Sequence, residues 1–265
     1  MPMAVTNWGG GDAYERYVGR WSRQVGREFL AWLDVPSGSQ WLDIGCGTGA
    51  LTSLILETAD PAGVEGIDPA AGFVDYARAQ VTDPRARFSI GDARDLPVES
   101  GSRDAVVGGL MLNFVPNRPA ALAEVFRVLR PGGTAGVYVW DYGEGMQFMR
   151  RFWDAATSLD PAAAERDEGR TFNGVSSREA LSDLFAGAGF ANVETRGIEI
   201  PTRFQDFDDF WSPFLGGQGP GPTYVKSLDD ARRDRLRDHL RETLPAETDG
   251  AISLTARAWA VKGVR

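Results

Sequence analysis

The stretch Trp41-Leu42-Asp43-Ile44-Gly45-Cys46-Gly47-Thr48-Gly49 constrains this chain more than any other. It reads as a short apolar strand with an acid near its end, a turn with glycine at alternate positions, and the start of a helix. Glycines so spaced let the backbone turn sharply and bring N–H groups close to a ligand, where any Cβ would intrude. That is the outline of a nucleotide-type pocket. Gly45, Gly47 and Ala50 also satisfy the G-x-G-x-x-G/A dinucleotide pattern, with Asp68 about where a ribose-binding acid belongs. Two features oppose a dinucleotide. Asp43 places a carboxylate two residues before the first glycine, where it repels a pyrophosphate and welcomes a cationic ligand. A third apolar run, at 87–90, also ends in an acid, within Gly91-Asp92-Ala93. Asp43, Asp68 and Asp92 therefore make an acidic, glycine-lined rim, with no Lys or Arg in the glycine loop.

Strand patterns at 40–45, 63–67, 86–90, 104–110 and 134–140 alternate with helical patterns at 49–59, 70–81 and 118–129. Such β-α alternation predicts an α/β fold with a doubly wound, Rossmann-like sheet covered by helices on both faces. Ligands in these sheets bind at the carboxyl ends of the strands, where the connection direction reverses. Gly45, Asp68, Asp92 and Asn113 all fall at or just past strand ends, so they are expected to share one crevice. Asn117 is placed as an N-cap for the helix that follows, and Pro131-Gly132-Gly133 as its terminator. Before the first strand, apolar residues from Tyr14 to Trp32 recur at helical spacing, with Gly19 and Gly26 as weak points. After Trp140 the pattern loosens. A helix is expected at 145–158, a charged surface loop at 160–175, and a helix opened by a Ser176/Glu179 capping box. Further strands are expected at 190–200 and 252–261. Between them lie about fifty residues carrying Phe204, Phe207, Phe210, Trp211 and Phe214, then a Gly/Pro-rich stretch and a charged helix capped by Ser227 and Asp230.

DIGCGTG at 43–49, GVEGIDP at 63–69, FSIGDARDLP at 88–97 and Leu129-Arg130-Pro131-Gly132-Gly133, in that order and spacing, resemble the class I S-adenosylmethionine-dependent methyltransferases. The closest branch is the one that includes the ubiquinone/menaquinone-type and small-molecule enzymes. The resemblance covers roughly residues 38 to 140. It implies a seven-stranded, mostly parallel sheet whose last strand inserts antiparallel beside the fifth. It also implies that the 45–49 loop, Cys46 included, wraps the methionine part of the cofactor. By the same resemblance Asp68, followed by Pro69, binds both ribose hydroxyls, and Asp92 with the Ala93 N–H binds the adenine edge. Asp43 is expected to accept N–H bonds from the glycine loop and to help position the cofactor's amine. A related branch carries a run like Gly19-Arg20-Trp21-Ser22 preceded by tyrosine, which points to an N-terminal helix over the cofactor, with Arg20 or Tyr14 reaching its carboxylate.

Asn113 and Phe114 sit where many class I enzymes place substrate-facing groups; Asn113 is assigned here to the cofactor and Phe114 to the substrate pocket. Trp21, Trp140, Trp153, Phe207 and Trp211 complete the expected pocket wall, and core packing of a helical cap accounts for the same aromatic spacing. The usual His or Asp-Pro-Pro-Tyr catalytic features are absent, and an Asn is no strong base. Asp141 and Tyr142, at the end of the fifth strand, are the base candidates. His239, amid charges, reads as a solvated residue.

Composition narrows the function further. The 265 residues carry a net charge of −9, which argues against a nucleic-acid partner. A single cysteine, Cys46, excludes an internal disulfide, and one histidine makes a His-based metal site untenable; no metal is expected. No basic segment with an apolar core opens the sequence and no apolar run of about 18 residues occurs, so the expectation is a cytoplasmic protein that is neither secreted nor membrane-spanning. The division expected is an N-terminal helical lid at 1–37, a cofactor domain at 38–200 and 250–265, and a helical cap at 201–249. The function expected is methyl transfer from S-adenosylmethionine to O, N or C of a small, partly apolar molecule. Such in-line displacement needs alignment and a dry pocket more than an acid or base. A cofactor-binding regulator or scaffold without transfer is the other reading, and an NAD-type dehydrogenase the weakest.

Overall fold

The computed structural model describes residues 20–172, 174–216 and 219–265. Its strands are β1 (Gln40–Ile44), β2 (Gly63–Asp68), β3 (Ala86–Ile90), β4 (Arg103–Gly109), β5 (Leu129–Trp140), β6 (Ala191–Phe204) and β7 (Ile252–Val264). They form one seven-stranded sheet in the order β3-β2-β1-β4-β5-β7-β6. β1 pairs in parallel with β2 and with β4, β2 with β3, and β4 with β5. β7 runs antiparallel between β5 and β6. Asp43 is in register with Gly66 of β2 on one side and Val107 of β4 on the other. From β1 the chain winds outward through β2 and β3, then returns to β4 on the opposite side. That reversal fixes the switch point at the carboxyl end of β1, where crevices form in sheets of this kind.

The sequence chemistry explains the elements around this point. β1 and β4 are apolar and buried because helices cover both faces of a parallel sheet. Helix α1 (Arg20–Leu33) runs through Gly26 without a break. A Cβ on Gly26 would lie 2.7 Å from Leu54 Cδ1, so the glycine lets α1 pack closely on α2 (Ala50–Thr58) and the helix tolerates it. Helix α3 (Ala71–Gln80) follows β2. Helix α4 (Arg118–Val128) opens at Asn117, whose side chain accepts the Ala120 N–H at 3.2 Å as its capping role predicts.

The chain forms two compact units. One comprises Ser22–Val139, Ser177–Ile198 and Ala258–Arg265, and holds the glycine-rich turn and helix α7 (Arg178–Gly187). The other comprises Trp140–Ser176 and Glu199–Arg257, together with Trp21. It contains α5 (Gln147–Leu159), α6 (Glu168–Thr171), α8 (Phe207–Trp211), α9 (Pro220–Ser227) and α10 (Asp230–Thr243). Its core is aromatic. Phe152 stacks on Phe214 with centroids 4.1 Å apart, and Phe148 meets Phe204, Phe210 and Phe214. No helix among the described residues is long and apolar enough to cross a membrane.

Several boundaries differ from the sequence expectation, each for a physical reason. β5 begins at Leu129 rather than 134, because Gly132 N–H donates to Arg265 O at 2.9 Å and Arg265 N–H to Gly133 O at 3.0 Å. The reversed neighbour thus carries the ladder through Pro131-Gly132-Gly133. β6 reaches Phe204, so the first aromatic of the expected helical run is a strand residue. Ser177, not Ser176, caps α7 by accepting the Ala180 N–H; the Ser176 hydroxyl donates back to Phe172 O. Asp229 caps α10, while Ser227 closes α9. The charged segment after α5 is not a solvated loop. It holds a 3₁₀ turn at Pro161–Arg166 and then α6, whose Glu168 is buried. His239 is half-buried, with Nε2 3.3 Å from Ser158 Oγ.

Candidate functional site

The turn after β1 is held from within. Gly45 and Cys46 N–H groups both donate to Ile67 O, at 2.7 and 3.1 Å, and Gly49 N–H donates to Cys46 O at 2.9 Å. The Gly47 N–H donates to Asp68 Oδ2 at 3.0 Å. The sequence expectation of bare amides facing a ligand is therefore corrected at these four positions. Their amides lock the turn onto the end of β2. Gly45 and Gly49 are needed for more than their positive φ values of 64° and 83°. A Cβ at Gly45 would lie 2.6 Å from Met111 Cβ, and one at Gly49 would press on Val81, Ala77 and Phe88.

Two buried carboxylates flank this turn. Asp43 is 1% exposed, and its Oδ2 accepts the Thr52 hydroxyl at 2.7 Å. The loop amides expected as its partners go instead to Ile67, Cys46 and Asp68. Its Oδ1 has no hydrogen-bond partner among the described residues. Burial first, and the neighbouring Asp68 charge second, push its pKa up to about 7 against the Thr52 bond. Asp68 accepts Gly47 N–H on one oxygen and Ala70 N–H, at 2.9 Å, on the other. Burial still raises its pKa, because backbone amides offset only part of the desolvation. Helix α3 starts at Ala71, so Asp68 braces the turn before it and Pro69 lies outside the helix, exposed.

Thr52 is the residue that sequence reading missed. It lies in the first turn of α2, fully buried beside Leu51, and a hydroxyl amid that apolar helix face was the available signal. Cys46 turns its thiol into an apolar cluster with Val74, Ala77 and Phe88, and burial pushes the thiol pKa up. It fills space and is no thiolate nucleophile.

At neighbouring strand ends the picture differs. Asp92 is half-exposed and gripped by Arg94, with Nη2 to Oδ2 at 2.5 Å and Nε to Oδ1 at 2.9 Å; the guanidinium holds its carboxyl below the usual range. Ala93 beside it is half-buried. Past β4, Asn113 is 5% exposed, and neither its Oδ1 nor its Nδ2 has a partner among the described residues. Phe114 next to it is 46% exposed.

The remaining sequence candidates belong to the aromatic unit or fall outside the description. Tyr14 and the side chain of Arg20 lie outside the described residues. Trp21 packs edge-on against Phe148 and Phe204, with centroids 5.7 and 5.2 Å away. Trp153 meets Phe152 and Tyr224, and Trp211 meets Phe207 and Phe214. Trp21, Trp140, Trp153 and Trp211 are all buried, so they serve this unit's core; Phe207 is half-buried, with the Arg241 guanidinium 4.5 Å over its ring. Asp141 accepts Arg257 Nε at 2.8 Å and Nη2 at 2.5 Å, and Glu144 N–H at 3.1 Å. A carboxylate so occupied is a lock between the ends of β5 and β7. Tyr142 is buried, with Phe172 5.1 Å away.

Residues 42–137 match the family model described as a methyltransferase domain. A demethylmenaquinone methyltransferase from Staphylococcus aureus is 30% identical over 190 residues, covering 67% of this chain and 77% of that protein. The chain belongs to the class I S-adenosylmethionine-dependent methyltransferases. Solved structures of this methyltransferase fold agree. The YcgJ protein from Bacillus subtilis superposes with a TM-score of 0.59 at 18% identity, over 93% of this chain and 98% of that one. Phosphoethanolamine N-methyltransferase 2 from Haemonchus contortus, in complex with S-adenosyl-L-methionine, gives 0.62 at 15% identity, over 99% and 60%.

The methyltransferase's cofactor, S-adenosylmethionine, suits the residues present. It brings an ammonium, a sulfonium and two ribose hydroxyls, all of which favour carboxylate acceptors. The orphaned Oδ1 of buried Asp43 and the uncompensated Asp68 are such acceptors. Among the described residues no group of three or more His, Cys, Asp or Glu side chains is arranged to hold a metal.

Proposed function

We propose that this methyltransferase acts on O, N or C of a small, partly apolar molecule, by in-line displacement driven mainly by proximity. One observation carries the reading: two buried carboxylates, Asp43 and Asp68, converge on the 45–49 turn, and no cationic side chain neutralises either of them among the described residues. The assignment gives Asp43 Oδ1 the ammonium group, Asp68 the ribose hydroxyls, and Asp92 with Ala93 the adenine edge. Bound S-adenosylmethionine supplies an electrophilic methyl group on a cationic sulfur. The chain's own contribution is to hold that cation against fixed carboxylates, keep the turn rigid through its internal amide bonds, and exclude water with the apolar walls of β1 and β4.

Commitment of Asp141 to Arg257 leaves alignment, rather than proton abstraction by that residue, as the source of rate. The Staphylococcus aureus relative is named for demethylmenaquinone, which supports a small-molecule acceptor here. The net charge of −9 supports an acceptor other than nucleic acid. We read residues 38–200 and 250–265 as the cofactor domain, 201–249 as an insertion in it, and the protein as cytoplasmic.

Calorimetric titration with S-adenosylmethionine and with S-adenosylhomocysteine tests the reading. Wild type is expected to bind both, and Asp68→Ala to weaken both by about 100-fold, or about 2.7 kcal/mol. A wild-type protein that gives no binding heat and no thermal shift with either compound would falsify it.

A further inference from the structure

Arg118 occupies an unusual place. It is the first residue of α4, a position where helix electrostatics favour acids, and the first turn of this helix contains none. Its guanidinium folds back over the 3₁₀ turn Leu112–Phe114, with Nε donating to Leu112 O at 3.1 Å and Nη2 to Asn113 O at 3.3 Å. A guanidinium has five N–H bonds, so three remain, on the Nη1/Nη2 edge that matches a carboxylate. No acidic side chain pairs with Arg118 among the described residues. The charge is half-buried, and desolvation alone pushes its pKa down, whereas Arg94 and Arg127 are pushed up by their acid partners. An unpaired, partly desolvated cation in a chain of net charge −9 is a costly arrangement.

Beside it stands a second unsatisfied group. The Asn113 amide is buried with both polar atoms unpartnered among the described residues, an unfavourable arrangement until something bonds to it. Phe114 adds an exposed apolar ring to the same short turn. A local packing role accounts for the two main-chain bonds of Arg118. It accounts neither for the missing counter-ion nor for the orphaned amide. An anion with a planar fork, attached to an apolar body, pairs with the open edge of Arg118, accepts from Asn113 Nδ2 and offers an apolar face to the exposed Phe114 ring.

We propose that Arg118, Asn113 and Phe114 form the seat for a carboxylate on the methyl acceptor, Arg118 by a two-point ion pair, Asn113 by an amide N–H bond, and Phe114 by contact with the acceptor's apolar part. The acceptor class is thus an organic acid with an aromatic or otherwise apolar body. This rests on the methyltransferase reading above and extends it from the cofactor to the substrate.

The test uses full-length protein saturated with S-adenosylhomocysteine, titrated with benzoate, phenylacetate and 4-hydroxybenzoate and with their carboxamides. At least one acid is expected to bind about tenfold or more tightly than its amide, since hydrogen bonds to charged groups exceed neutral ones by that margin. Arg118→Met should erase the preference and Arg118→Lys should keep part of it, while affinity for S-adenosylhomocysteine moves by less than about twofold in both. Equal binding of acids and amides by wild type, or an acid preference that survives in Arg118→Met, overturns the seat. The wild-type arm decides even if Arg118→Met does not fold. Absence of S-adenosylhomocysteine binding by wild type fails at the earlier step and removes the cofactor reading as well, so the two failures are told apart.

Discussion

The two units solve the problem of a buried carboxylate in opposite ways. Around the glycine-rich turn, Asp68 is held by two main-chain amides and Asp43 by a threonine hydroxyl. In the aromatic unit, Asp141 is paired with Arg257 and Asp167 with Arg150 through both guanidinium ends. Amides and hydroxyls orient a carboxylate without cancelling its charge, whereas an arginine cancels it. The first kind therefore remains available to a cationic ligand, and the second is spent on holding the fold. Glu168 is the exception that shows the rule has a cost. It lies in the arginine-paired unit, yet Arg150 gives both of its terminal nitrogens to Asp167, and Glu168 accepts from Trp153 Nε1 while its Oε1 has no hydrogen-bond partner among the described residues.

If Asp141 is a lock, breaking it should cost stability on the scale of a buried ion pair. Arg257→Met leaves Asp141 buried and without its cation, and is expected to destabilise the protein by about 3 kcal/mol in urea or guanidinium unfolding. A loss below about 1 kcal/mol would return Asp141 to the list of reactive groups. Glu168 gives the next largest effect, and its sign is opposite. Burial raises its pKa from 4.5 to about 7, so between those values the folded chain holds a proton that the unfolded chain has released. Stability then falls as pH rises through that window. Glu168→Gln keeps an acceptor for Trp153 and removes this contribution to the slope, so it should gain on wild type by about 2–3 kcal/mol between pH 4 and 8. Asp43, raised from 3.8 to about 7, leaves a residual slope of the same sign. Unfolding curves at four or five pH values check it; identical slopes in the two proteins would mean that Glu168 is compensated.

The contrast between units is also a contrast in legibility. The strand–turn–helix around Asp43 and Asp68 was readable because its constraints are local: glycine where φ is positive, an acid at a strand end, apolar runs where a sheet is covered on both faces. What failed near it was partner assignment. Asp43 was matched to loop amides, but Thr52, nine residues on, reaches it through the geometry of α2. In the aromatic unit the decisive contacts are distant in sequence, as with Asp141 and Arg257, 116 residues apart. Charge patterning was half informative there: Glu165, Arg166 and Arg170 are exposed as a charged surface segment should be, but Asp167 and Glu168 are buried, Asp167 through its pair with Arg150. Likewise, Pro131-Gly132-Gly133 looks like a terminator until a reversed strand supplies partners for its backbone. The helical spacing of the aromatics was visible, but spacing alone does not distinguish a ligand wall from a core, and Trp21, Trp153 and Trp211 are buried core residues.

The smallest effect probes the amide side of the comparison. Gly47 has φ of 52°, and a Cβ there meets no atom within 4 Å. Gly47→Ala therefore carries the left-handed backbone penalty alone, about 1–2 kcal/mol, with no steric clash. Its N–H still reaches Asp68, so the variant should unfold only slightly more easily than wild type in the same denaturant series. Any larger change should appear in cofactor affinity, because the new methyl group enters the space beside the two carboxylates. A stability loss above about 3 kcal/mol would mean that the turn is clamped more tightly than its amide bonds imply, and that Asp68 depends on the turn as firmly as Asp141 depends on its arginine.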